Sequence, residues 1–163
     1  MEQKYGLLME LPDGKLPGFY AQIVKALAAK APLFDRDKEL LIFSETEERD
    51  AAYPIMEQYK IPFEDLDLIL LPPPVYVLPT LTDFGLISRS EHVYVYSDAA
   101  CIFTIREDGP GAEPAQAALQ MDEHLLARFG REDETFYVAQ AQSDELMLRI
   151  AAAYRCTVQF IHK

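Results

Sequence analysis

At 163 residues the chain has the length of one domain, and 50% of its residues are apolar, enough to fill a continuous core without disulfide or metal support. Fourteen acidic and eight basic side chains in residues 1–81, and 13 and seven in residues 82–163, leave −6 in each half of a chain whose formal charge is −12. A field of that sign repels phosphate backbones and anionic lipid, which argues against nucleic-acid and membrane-surface binding and permits a basic protein partner.

The first apolar run, Tyr5–Leu11, reads as a strand that ends at the turn signal Pro12-Asp13-Gly14. From Pro17 to Ala29 the residues Phe19, Ile23, Val24, Leu27 and Ala28 recur at three- and four-residue steps, the spacing of one buried helix stripe. Glu39–Phe43 is a second, apolar strand. Ser44 with Glu47 three residues on has the capping-box pattern and predicts a helix to Tyr59, kinked or restarted at Pro54. Asp67–Leu71 is a third buried strand, and Pro72-Pro73-Pro74 must leave the sheet as extended chain. Residues 75–90 carry little pattern beyond a short helix near Thr80–Ile87, weakened by Gly85. His92–Tyr96 and Cys101–Ile105 are β-rich and read as a hairpin, although Ala99 and Ala100 are poor turn formers. Pro114 and Gly130 bracket a helix whose Ala118, Leu125 and Phe129 share a face. Thr135–Ala139 is a strand, Ser143 caps a helix carrying Leu146, Met147, Ile150, Ala151 and Tyr154, and Thr157–Ile161 is the last strand.

This order predicts a single α/β domain over residues 1–163, a Rossmann-like layered sandwich. Its sheet of about seven strands would be mostly parallel with one antiparallel hairpin, and helices would cover the faces. ELLIFSETEE and TFYVAQAQSDE share a strand, a serine and acidic residues, a likeness that ordinary helix capping explains.

Two cysteines, Cys101 and Cys156, are too few for a disulfide framework and read as buried core thiols. With no leader-like N-terminal pattern and no apolar run of bilayer length, the expected address is cytoplasmic.

The catalytic motifs fail on inspection. Gly109-Pro110-Gly111 follows a strand and precedes a helix, but Pro114 stands where a dinucleotide fingerprint needs its third glycine. Gly14-Lys15 is followed by Leu16 where a P-loop needs Ser or Thr, and Asp83-Phe84-Gly85 lacks every other kinase element. Asp65-Leu66-Asp67 reads as solvated charge, and Asp35-Arg36-Asp37-Lys38-Glu39 lacks the glycine of an ion-binding loop. His92, His124 and His162 have no metal-type spacing, so no metal and no cofactor is expected. Ser44 and Ser143 lack the flanking glycines of a nucleophile elbow.

No motif identifies a family. The leading expectation is a non-catalytic protein-binding or regulatory domain that uses an acidic surface, Glu45, Glu47, Glu48 and Asp50, together with Tyr94 and Tyr96, to recognise a basic protein. The alternative is a small-molecule or nucleotide-binding enzyme whose pocket lies at the carboxyl ends of the strands, lined by Asp13, Ser44, Glu45, Gln140, Gln142 and Ser143. Neither reading excludes a homo-oligomer.

Overall fold

Neighbouring strands in this protein reverse direction. The computed structural model describes residues 1–11 and 17–163, Pro17 by its backbone alone, so the Pro12-Asp13-Gly14 turn lies outside the described residues. The elements are β1 (Glu2–Met9), α1 (Pro17–Lys30), β2 (Asp35–Asp37), β3 (Leu40–Phe43), α2 (Thr46–Gln58), β4 (Phe63–Leu70), β5 (Val75–Val77), β6 (Gly85–Ile87), β7 (Val93–Tyr96), β8 (Ala100–Glu107), α3 (Pro114–Met121), β9 (Leu125–Arg131), β10 (Glu134–Gln140), α4 (Asp144–Ala153) and β11 (Cys156–His162). Turns of 3-10 helix occupy Pro79–Asp83, Asp122–His124 and Ala141–Ser143. They form two compact units, Met1–Leu70 with Ile87–His92, and Leu71–Leu86 with Val93–Lys163.

All seven predicted strands exist, yet the parallel, Rossmann-like sandwich is overturned. In the first unit β1 lies between β3 and β4 and is antiparallel to both, and β2 pairs antiparallel with β3, giving the order β2-β3-β1-β4. In the second, β8 lies between β11 and β10, β10 pairs with β9 and β9 with β5, all antiparallel. Two strands antiparallel to a common neighbour are parallel to each other. Each helix therefore does join two parallel strands, as a βαβ unit should, but an antiparallel strand sits between them. That is the split-βαβ, ferredoxin-like plan, and β1-α1-β2-β3-α2-β4 and β8-α3-β9-β10-α4-β11 both follow it with the same strand order.

The error has three physical sources. Strand β2 is three residues of Asp-Arg-Asp, with none of the apolar alternation that marks a strand, and its two-residue connection to β3 turns through Lys38 at φ 53°. Omitting it reverses every later strand of the unit. Strand β9 occupies the stretch predicted as the second half of a helix, because Leu125 and Phe129 are four apart, a spacing that the helical and the extended period both satisfy. The helix in fact ends at Met121, and Leu125, Leu126, Ala127 and Phe129 are buried along a strand. Its hairpin to β10 turns through Glu132 and Asp133, both with φ above 50°, where Gly or Asn is the usual signal. Finally, β3 is buried at all four residues, and β8 from Ala100 to Thr104. Such runs report burial on both faces, not strand direction.

The expected hairpin of His92–Tyr96 with Cys101–Ile105 is also corrected. The chain turns at Ala99, whose amide donates to the Tyr96 carbonyl at 3.0 Å, but β8 joins the β11-β10 sheet while β7 has β6 as its neighbour in the unit. Helix α2 runs unbroken through Pro54, which is exposed.

In the first unit Leu7, Met9, Leu41 and Phe43 pack under Ile23 and Leu27 of α1, Ala31 just beyond its end, and Ala52, Ile55 and Met56 of α2. The second unit repeats this with Cys101, Phe103 and Ala139 under Ala117 and Met121 of α3 and Met147, Ile150 and Ala151 of α4. A fully buried side chain of this size contributes about 1.5–3 kcal/mol, so the two helix-covered faces carry much of the stability.

Gly85, the last residue of the kinase-like triplet, has a structural explanation. A Cβ there would collide with the Tyr94 carbonyl and come within 2.9 Å of Val95 Cα, both backbone atoms of β7. Gly85→Ala should therefore destabilise by about 1–3 kcal/mol in urea denaturation, whereas an unchanged midpoint would show that β6 is not held against β7.

Candidate functional site

Helix α2 begins one residue later than the Ser44 pattern implies. Its N-cap is Glu45, whose amide donates to Glu48 Oε1 at 3.0 Å, so Glu48 serves the capping box and the helix start rather than a free surface. Glu45, Glu47 and Asp50 are exposed, and none meets a cation within ion-pair distance among the described residues. Glu47, Asp50 and Glu57 stand at i, i+3 and i+10 and share one exposed face of the helix.

The one cation of residues 45–58, Arg49, turns inward. Its side chain is 12% exposed, binds Asp67 at 3.1 Å and Asp65 at 3.8 Å, and donates to the Gly6 carbonyl at 3.3 Å. Tyr53 donates its hydroxyl to Asp65 at 2.6 Å, and burial together with that bond raises its pKa. Asp65 and Asp67, read from the sequence as solvated charge ahead of a strand, lie within β4 and anchor α2. The adjacency of Arg49 to the acidic run was visible in the sequence, but which carboxylates it would choose was not.

Ser44, a candidate pocket residue, accepts a hydrogen bond from Lys4 Nζ at 3.3 Å. The Lys4 side chain is 7% exposed, pairs with Glu2 at 3.0 Å and lies 4.0 Å over the Phe34 ring. A serine beside a buried lysine has the composition of a Ser–Lys nucleophile, but such a lysine must be a free amine to act as base. Here it donates to a carboxylate, and the hydrogen bond and charge of Lys4 hold the Glu2 carboxyl below its usual range. Lys4 is taken up by Glu2 and Ser44, and the contact ties β1 to the segment between β3 and α2. Close by, His92 Nδ1 lies 2.9 Å from Asp35 Oδ2, and its ring stacks on Phe34 at 5.3 Å. Asp35 opens β2, so the loop rejected as an ion site is a hairpin with a buried acid at its base.

In the second unit Gln140 ends β10 and its carbonyl accepts from Cys101 Sγ at 3.5 Å. Gln142 and Ser143 follow in a 3-10 turn; Gln142 is exposed, and Ser143, though at the N-cap position of α4, makes no capping bond. Asp144 binds the Glu145 amide at 2.8 Å and Lys163 at 3.3 Å, which together lower its pKa. Tyr94 is wholly buried and presents nothing to a partner, while Tyr96 is half-buried. Asp13 lies outside the described residues. Ser44 and the Gln140–Ser143 group belong to different units. Adjacent antiparallel strands end at opposite edges, so there is no common carboxyl edge.

The second unit carries a feature the sequence reading missed. A groove of about 470 Å³ lies between the Pro79–Asp83 turn and α3, with Leu78, Pro79, Leu119 and Leu125 as its apolar walls and Asp122 and Glu123 on its rim.

Among the described residues no three His, Cys, Asp or Glu side chains gather as a metal site, and no helix is long and apolar enough to cross a membrane. Compared with models of protein families, with curated proteins and with solved structures, the chain matches none.

Both cysteines are free and buried, and burial, with a smaller contribution from the nearby Asp144 charge, pushes the Cys101 thiol up from 9.0 to about 11. A raised folded-state pKa contributes stability that is complete below the unfolded value and lost as pH rises through the folded one. Wild type should therefore lose about 1–3 kcal/mol more than Cys101→Ala across the interval from 9.0 to about 11. Parallel urea-stability curves for the two would refute this, as would rapid thiol labelling of the folded protein at neutral pH.

Proposed function

We propose that this chain is a non-catalytic protein-binding domain that recognises a basic protein through the outer face of α2. The observation that supports it is the uncompensated stripe of Glu47, Asp50 and Glu57, continued by Glu45, on a helix whose single arginine is spent on the inner side. Charges placed this way raise encounter rate more than they strengthen the bound state, which suits a partner captured by electrostatic steering. The reading sets the domain in a reducing cytoplasm, where two buried thiols stay free.

The test uses the partner recovered on the immobilised chain and compares wild type with Glu47→Gln/Asp50→Asn/Glu57→Gln. Association at low salt should slow by about tenfold for the variant, and the difference should shrink as salt screens the field. Equal association rates at low and high salt would sink the reading. Glu48 is left intact in this variant because it caps the helix. Glu48→Ala should cost roughly 1 kcal/mol in urea denaturation and Glu48→Gln much less, since Gln also completes a capping box.

A further inference from the structure

The groove beside α3 has an anchor that the fold does not explain. Helix α3 packs through Ala117 and Met121, while Leu119 points away from that core and is 71% exposed, more than any other large apolar side chain described. Leu119 lines one groove with Leu78, Pro79 and Leu125, so it extends an apolar patch rather than standing as a scattered surface leucine. The groove is built in advance. The Leu78 amide donates to the Leu126 carbonyl at 3.0 Å and Thr80 Oγ1 donates to the Leu125 carbonyl at 3.4 Å, pinning one wall to β9. Its volume lies within the range of ligand-binding clefts.

Charge narrows the occupant. Among the described residues no lysine or arginine lines the groove, and the charged ones that do are Asp122 and Glu123. Arg128 meets Asp122 at 2.7 Å, whereas Glu123 is 75% exposed and lies 3.3 Å from His124. On a chain of formal charge −12, a second copy or an acidic segment would be repelled from such a rim, and a cationic one drawn to it.

We infer that this groove docks a basic protein segment that sets an aliphatic side chain against Leu119 and a lysine or arginine toward Glu123. The inference rests on the protein-binding reading and gives it a second contact surface, distinct in sequence from α2. It combines an apolar anchor with a charged rim, the layout of a protein interface.

The test titrates the full-length, isotope-labelled chain with three synthetic pentapeptides, Lys-Leu-Arg-Leu-Lys, Lys-Gly-Arg-Gly-Lys and Glu-Leu-Gln-Leu-Glu, and maps amide shifts. The basic leucine peptide should shift residues 78–80 and 119–125, and Leu119→Ser and Glu123→Lys should each weaken its binding at least fivefold. Both positions are exposed, so folding is retained and is verified by the unperturbed spectrum elsewhere. Shifts confined to residues 45–58 would overturn the groove while leaving the α2 reading standing. Equal response to the glycine peptide would overturn the apolar anchor, and equal response to the acidic peptide would overturn the charge argument. Sedimentation showing a dimer of the wild type that Leu119→Ser dissociates would assign the groove to a second copy instead and overturn the inference.

Discussion

Everything in the architecture depends on two tight reversals made without glycine. The β2–β3 turn holds Lys38 at φ 53°, and the β9–β10 turn holds Glu132 at 52° and Asp133 at 63°. An L-residue in this region costs about 1–2 kcal/mol, so the turns persist only because the strands beyond them are driven together. β3 is buried at every position, and Leu125, Leu126, Ala127 and Phe129 of β9 are nearly inaccessible. Reversal at these points lets the second helix of each unit return over the same face as the first, and that shared face is where each helix-covered core forms. With straight parallel crossovers the same helices would cover a different sheet.

The same reversals decide what could be read in advance. Long apolar segments such as Leu40–Phe43 and Ala100–Thr104 announced themselves as strands because burial on both sides leaves an unbroken hydrophobic run. The stripe of Ile23 and Leu27 and that of Met147, Ile150 and Ala151 announced their helices. Pairing partners did not, because direction is set by short polar pieces. Asp35–Asp37 is too small and too charged to stand out, and Arg131-Glu132-Asp133-Glu134 has the composition of an exposed helix as much as of a turn. The likeness between ELLIFSETEE and TFYVAQAQSDE, explained by capping alone, acquires a topological counterpart: both segments run from the third strand of a β-α-β-β-α-β segment into its second helix.

Legibility at the candidate surfaces follows the same logic. Carboxylates clustered at the start of one helix were visible from spacing, and the exposed surface of α2 uses three of the four that were singled out, Glu45, Glu47 and Asp50. The fourth, Glu48, is taken by the helix start, a role that one residue of register decides. Tyr94 and Tyr96 share a strand face in the alternation pattern, which says nothing about which side is covered; burial of Tyr94 does. The groove escaped altogether, because Leu78 and Leu119 are some forty positions apart in sequence and meet only through the pinning of the Pro79–Asp83 turn to β9.

The strand order also bears on synthesis of the chain. In each β-α-β-β-α-β segment the first strand made becomes a central one: β1 ends between β3 and β4, and β8 between β10 and β11. A ribosome adding ~5–20 residues per second therefore leaves one backbone edge of β1 without its sheet partner until Phe43 has emerged and the other until Leu70 has, and the edges of β8 until Gln140 and then His162. Each segment is thus completed by its last strand rather than nucleated by its first. The nascent chain must be kept from pairing elsewhere by what β1 carries at its start, the charged Glu2 and Lys4, and by the rapid local helix formation of the segments that follow.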